Sequence, residues 1–276
     1  MKKRSGVLVA AASVLLLVWI VPILLAVITS LKDEKEVLAY PPSIIFEATL
    51  KNFAAVLGGP GSIVPNLVSS LVVAISTTVL SIVIAVPAAY ALARLRLPGK
   101  RPVGFYVLAT QLVPPIGLII PYFLILNRIG WMDSYKGMVL IYLTFSLPFA
   151  IWLLVSYFEN IPREMEEAAM LDRASRWQAF WHVVLPQARG AIAVTVIFVF
   201  LNSWNEFLFA VVLGGANVKM VTVAMYNYIN TEQTQWAQLS AAALLAMLPV
   251  IVLGLLAQKH IVKGLTAGAV KGSGRR

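Results

Sequence analysis

The 276-residue chain contains no cysteine, which excludes disulfide staples and thiolate metal sites. Charge is also scarce. Asp, Glu, Lys and Arg make up 12 % of residues, where a soluble domain carries roughly a quarter. The two histidines, His182 and His260, stand alone in sequence, a poor basis for metal ligation or acid–base work. The phosphate-cradling pattern G-x-x-x-x-G-K-[ST] is missing, since Gly99-Lys100 lacks both the preceding glycine and the following hydroxyl residue. Long stretches of apolar–polar alternation are absent too, which argues against barrel strands. There is no internal repeat and no low-complexity tract.

Hydrophobic residues, by contrast, make up 60 % of the chain, and the mean hydropathy is +0.85. So little charge cannot cover so much apolar surface in water, and lipid is the fitting solvent. A helix needs about 20 apolar residues to cross a hydrocarbon core of roughly 30 Å. Six runs qualify: 7–31, 67–93, 103–126, 137–158, 191–213 and 239–257. The expected fold is an all-α membrane protein of six transmembrane helices in one domain, residues 1–276. The first run follows Lys2, Lys3 and Arg4, as a signal peptide would. It continues past the usual 7–15 apolar residues without a clean cleavage site, and reads as an uncleaved span.

The net charge of +10 is clustered between the runs rather than spread over a docking face for nucleic acid. Sixteen of the 22 Lys and Arg residues fall on one side of the expected membrane and six on the other. The positive-inside rule then puts both termini in the cytoplasm and segments 32–66, 127–136 and 214–238 outside. The first of these is punctuated by Pro41, Pro42, Gly58, Gly59, Pro60 and Gly61, as an irregular surface loop would be.

The cytoplasmic connection 159–190 does not read as a plain loop. Pro162 can open a helix whose early Glu164, Glu166 and Glu167 suit the positive end of the dipole. Ala168 to Leu171 continue it with strong helix formers. A second piece, Ser175 to Val184, places Trp177, Phe180, Trp181 and Val184 on one face, and Leu185-Pro186 interrupts it. Such a pair of helices suits docking. An interfacial helix on lipid headgroups is the blander reading, but acidic residues sit poorly on the negative cytoplasmic leaflet. Phe180, Trp177 and Trp181 fit equally well packed beneath the chain's own spans.

Here the sequence resembles the inner-membrane permeases of bacterial ABC importers. Their motif is E-A-A, two variable residues, D-G-A, a Phe six residues on, and a later L-P. This chain has Glu167-Ala168-Ala169, Asp172, Ala174, Phe180 and Leu185-Pro186 in that register. Arg173 replaces the motif Gly at the turn between the short helices, and fits there if the turn keeps φ negative. Further short matches follow in order. They are Ala88 to Arg94 with Leu97-Pro98-Gly99-Lys100, Pro114 and Pro121, Gly130-Trp131-Met132-Asp133-Ser134, Trp204-Asn205-Glu206-Phe207, and Lys263 to Gly268. These resemble carbohydrate permeases, in particular the family of the maltose transporter's smaller permease.

The resemblance implies the type I ABC importer permease fold in a bacterial or archaeal cytoplasmic membrane. It implies a second permease subunit, two ATPase subunits and an external solute-binding protein as partners, with a sugar, oligosaccharide or polyol as cargo. The chain itself is then no enzyme and carries no cofactor, ATP and Mg being held by the ATPases. Residues Glu167, Ala168, Ala169, Asp172, Arg173, Ala174, Phe180, Leu185 and Pro186 form the ATPase-coupling segment. Glu167 would pair with a basic ATPase residue, and Asp172 would hold the turn. Isolated surface acids usually form only a solvated face or a cap, and motif register is what favours the coupling role.

Glu206 is the only carboxylate well inside an expected span, where a centred charge costs about 2.5–3.5 kcal/mol. With Asn202, Ser203, Trp204 and Asn205 it offers the hydrogen bonds and aromatic face of a sugar path; a structural hydrogen bond is the alternative. In the resembled subfamily segment 214–238 faces the binding protein, which makes Tyr226, Asn227, Tyr228 and Trp236 candidates, along with Asn230, Gln233 and Gln235. Tyr and Trp at a membrane interface would look the same. The tail 267–274 would reach between the ATPases or hang free. Among rival functions, the nearest is a same-fold permease for a non-sugar solute. An ion-coupled secondary transporter would show inverted repeats and several intramembrane charges, and an intramembrane enzyme a nucleophile–base set at depth.

Overall fold

Backbone groups in lipid must find partners within the chain, so continuous apolar runs are expected to be helical. The computed structural model describes residues 2–41, 43, 45–59, 61–229 and 234–271. Apart from one isolated bridge between Ile229 and Thr234, their regular structure is helical. In chain order the helices are α1 (Lys2–Ser30), α2 (Glu34–Val37), α3 (Lys51–Gly58), α4 (Val64–Arg94), α5 (Lys100–Thr110), α6 (Pro115–Arg128) and α7 (Tyr135–Asn160). Then come α8 (Arg163–Leu171), α9 (Arg176–Ala179), a π-turn (Phe180–Val184), α10 (Leu185–Gln187), α11 (Arg189–Trp204) and α12 (Leu208–Leu213). Last are α13 (Val221–Ala224), a 3-10 turn (Met225–Tyr228) and α14 (Trp236–Lys271).

Among the described residues, four helical stretches are long and apolar enough to cross a membrane: Ala12–Ser30, Val64–Arg94, Tyr135–Asn160 and Trp236–Leu256. The count reaches six if two bent pairs each form one span. One pair, Pro102–Thr110 with Pro115–Arg128, bends by 94°; the other, Arg176–Gln187 with Arg189–Trp204, by 72°. The third expected span is therefore not a single straight helix, and the 72° bend lies just ahead of the fifth. In the third, Pro114 and Pro115 contribute no N–H, and Pro114 forces Val113 away from helical geometry. Pro115 then opens α6 at its first turn. In the fifth, the run 191–213 stops at Trp204, and Asn205, Glu206 and Phe207 separate α11 from α12. The Asn205 amide donates back to the Leu201 carbonyl at 2.9 Å, a side-chain bond that suits a helix end. Pro22, Pro87, Pro121, Pro148 and Pro249 lie within continuous helices and do not break them.

The chain divides into two compact units, Met1–Leu67 with Val221–Pro249, and Val68–Met220 with Val250–Arg276. In the first, Asn52 ties α3 to the end of α1, donating to the carbonyls of Ser30 at 2.9 Å and Lys32 at 2.8 Å. The Glu34 carboxylate accepts from the N–H groups of Trp236 (2.8 Å) and Ala237 (2.9 Å), where the α14 dipole favours negative charge.

The second unit carries the main core. Ala85, Ala89 and Ala93 recur every fourth residue on α4, and their small side chains allow close helix approach. Against them pack Ala150, Leu154 and Phe158 of α7 with Phe180, Val184 and Ala188. Toward the other end of this unit, Asp133 lies between α6 and α7 with φ 48°. Its carboxylate accepts from Asn217 N and Nδ2 (3.0 Å each) and Val218 N (2.8 Å). Gly215 is needed beside it, because a Cβ there would lie 2.6 Å from Asp133 Oδ2.

Candidate functional site

Segment 159–190 is built as two capped helices. Pro162 stands at the N-cap of α8, whose first turn carries Glu164 and Glu166. At the other end, Ala174 N–H reaches Ala169 O and Arg173 N–H reaches Met170 O, both at 3.1 Å. This is the Schellman arrangement, and it requires a left-handed residue between. Arg173 supplies it with φ 65°, so the condition of a negative φ is not met and the closing bonds keep a glycine's geometry despite the Cβ. Ser175 and Gln178 then form a reciprocal capping box, with Gln178 N donating to Ser175 Oγ at 3.3 Å and Ser175 N to Gln178 Oε1 at 2.8 Å. These bonds hold the turn, while the Asp172 carboxylate lies exposed beside them.

The segment divides into two faces. Phe180 is 1 % exposed and packs on Tyr90, ring centroids 4.6 Å apart. Val184 is buried beside it, and Leu185 and Pro186 are half-buried. The outward face carries Glu167, Ala168, Leu171 (85 % exposed), Trp177 (62 %) and Trp181. The aromatic set that sequence spacing placed on one face is therefore split. Phe180 goes inside and the tryptophans outside, in contact with it at 5.5 Å. Ala169 and Ala174 are half-buried at the turn.

Glu166, one position before the motif Glu, turns inward. It accepts a hydrogen bond from the Tyr90 hydroxyl and pairs with Arg94 at 3.7 Å, the side chains of Arg94 and Glu166 being 3 % and 9 % exposed. Arg94 also donates to the Ile161 carbonyl. Sequence reasoning missed this cluster, although Arg94 at the end of a long apolar helix was a signal, being a cation that must find water or a partner. A groove of about 630 Å³ opens here, lined by Arg94, Arg96, Arg163, Glu166, Glu167 and Arg176. A smaller one of about 400 Å³ is lined by Asp172, Arg173, Gln178 and His182.

A second feature missed from sequence is a cavity of about 470 Å³ at the break between α5 and α6. Tyr106, Gln111, Tyr122, Thr144, Phe145 and Phe209 line it. Phe209 contacts Tyr122 (5.6 Å) and stacks on Phe145 (5.9 Å, 15°). Tyr122 donates to Thr144 Oγ1 at 2.9 Å and Gln111 to the Phe145 carbonyl at 3.2 Å. The Pro114-Pro115 pair mid-run was the available signal. Non-helical backbone at membrane depth persists only against protein or a water-filled cavity.

The fifth-run candidates do not converge. Trp204 is buried and stacks on Phe200 at 5.6 Å, while Asn202 and Asn205 are exposed. Glu206, one residue before the N-cap of α12, accepts from Phe209 N in its first turn at 3.0 Å. Of the remaining candidates, Tyr226, Asn227 and Trp236 are exposed. Tyr228 is buried, its hydroxyl donating to the Gly61 carbonyl at 2.9 Å. Asn230 and Gln233 lie outside the described residues, as does the tail from 272. The helical backbone of α14 runs on through 267–271.

Comparison with known proteins accords with this geometry. Residues 78–267 match the family model described as binding-protein-dependent transport system inner membrane component. The trehalose/maltose transport system permease protein of Thermococcus litoralis is 31 % identical over 269 residues, covering 96 % of each chain. The trehalose transport system permease protein of Mycobacterium tuberculosis is 35 % identical over 268 residues, covering 96 % of this chain and 95 % of its own. A crystal structure of a bacterial ABC transporter involved in the import of the acidic polysaccharide alginate contains a chain that superposes with a TM-score of 0.78 at 25 % identity. The match covers 94 % of this chain and 96 % of that one. With a family match over more than half its length, the chain belongs to the inner-membrane components of binding-protein-dependent transport systems, and is an ABC-importer permease rather than an enzyme.

Proposed function

We propose that this chain is one half of the membrane path for a carbohydrate in an ATP-driven importer. In this reading six spans form one permease domain, both termini are cytoplasmic, and segment 159–190 docks on an ATPase subunit. The observation that carries it is the outward face of that segment. Glu167, Leu171, Trp177 and Trp181 are exposed beside a turn held by explicit caps, as a preformed docking surface requires. A second permease completes the path, ATP and Mg stay on the two ATPases, and an external binding protein delivers solute, with Tyr226, Asn227 and Trp236 placed to meet it. Tyr228 supports that surface from within.

The carbohydrate assignment draws on the names of the relatives and on the cavity at the α5–α6 break. Its aromatic faces, hydroxyls and amide match the needs of a sugar's apolar ring face and polar rim. Asn202 and Asn205 remain available to solute, whereas Trp204 and Glu206 shape the path through stacking and hydrogen bonding. An ion-coupled mechanism is disfavoured, because Glu206 already serves α12.

The test is uptake into proteoliposomes holding the whole assembly, with mono- and disaccharides offered against an amino acid and a phosphorylated polyol. Uptake of a sugar that stops when the partner ATPase is inactivated supports the reading. Uptake that ignores the ATPase, or that selects a non-sugar solute, overturns it.

A further inference from the structure

We propose that Glu166, buried against Arg94 and Tyr90, is the positioning residue that carries displacement of segment 159–190 into α4. This rests on the reading of that segment as the ATPase-docking element. The contact is specific in its geometry. Tyr90 and Arg94 are four apart on α4 and therefore stack on one face of its last turns. Both reach the same carboxylate of α8. Arg94 in addition holds the Ile161 carbonyl, just before the Pro162 cap, so α4 grips α8 at its entry and within its first turn. Tyr90 also touches Phe180 of the π-turn and Phe158 near the end of α7, 6.1 Å between ring centroids. The end of α4 thus meets both halves of the segment.

A buried ion pair is a poor device for stability alone, since well-packed apolar residues of the same volume often do better. It is a good device for register. Shifting α8 along α4 by one residue would leave two charges buried and unpaired, so the joint resists sliding and moves as one body. Glu166 is buried whereas Glu167 beside it is exposed, which separates the roles: one residue receives the force and its neighbour passes it on.

The experiment uses the full assembly in proteoliposomes, with Glu166→Gln, Arg94→Met and the exchanged pair Glu166→Arg with Arg94→Glu. Retained ATPase, thermal midpoint of the complex, and binding-protein-stimulated hydrolysis are measured together. The single variants are expected to keep the ATPase bound while stimulated hydrolysis falls roughly tenfold, with the exchanged pair recovering most of it. Tyr90→Phe removes only a hydroxyl and avoids a folding defect. It is expected to lower stimulation about two- to threefold at an unchanged midpoint. Wild-type stimulation in the single variants would overturn the proposal. So would an exchanged pair that regains its thermal midpoint without regaining stimulation, because the pair would then be merely structural. If wild type itself fails to retain the ATPase, the importer reading falls and takes this inference with it.

Discussion

Asp133 and Arg173 share a left-handed backbone, with φ of 48° and 65°, in two turns that are held by different means. At Asp133 the side chain offsets the strain. Burial works to raise its pKa, but the N–H groups of Asn217, Val218 and Ala216 and the Asn217 amide outweigh it, and the carboxyl stays below its usual range. At Arg173 the side chain is exposed, and the turn rests on backbone bonds and the Ser175–Gln178 box. The first turn is therefore a fixed point, joining 214–218 to the α6–α7 corner. The second keeps its shape while leaving its side chains outward, as a surface made for a partner must.

The largest expected effect comes from breaking the fixed point. Asp133→Ala removes the acceptor of three hydrogen bonds, of which only that from Val218 N–H belongs to a buried residue, and should cost about 1–3 kcal/mol, read as a lowered thermal midpoint in detergent. The same contact predicts a pH dependence. A lowered folded pKa gives stability that is complete above the unfolded Asp value of about 3.9 and lost as pH falls through the folded value. The wild-type midpoint should drop in acid more steeply than that of Asp133→Asn. At the second turn, Ser175→Ala removes half the capping box and should cost about 1 kcal/mol. Arg173→Gly should do the opposite, adding about 0.5–1 kcal/mol by relieving the Cβ clash of a left-handed residue. Loss of stability in Arg173→Gly would mean that the arginine side chain holds the turn after all.

The straight spans were legible because continuous apolar runs leave helix as the only satisfied backbone. The run 67–93 became Val64–Arg94, and 137–158 became Tyr135–Asn160. Hydropathy weighs side chains and ignores missing donors, so the 94° break at Pro114-Pro115 and its cavity stayed hidden. The motif register led to Glu167, and the structure places that residue outward. Which of two adjacent glutamates turns inward depends on how α8 rolls against α4, a tertiary matter that places Glu166 on Arg94. Phe180 and Trp177 share a face by spacing, yet only Phe180 finds a pocket beside Tyr90. The sequence leaves the φ of Arg173 open, because a side chain's preference does not show the bonds that close the turn and hold it at 65°.

In the proposed importer the exposed face of 159–190 engages an ATPase. That engagement is tested most directly by co-purifying the tagged chain with its neighbouring permease and ATPase, wild type against Glu167→Ala, and measuring binding-protein-stimulated hydrolysis. Normal insertion with ATPase contact or stimulation reduced by about tenfold is the predicted result. Hydrolysis indifferent to the substitution, with the ATPase fully retained, would contradict it.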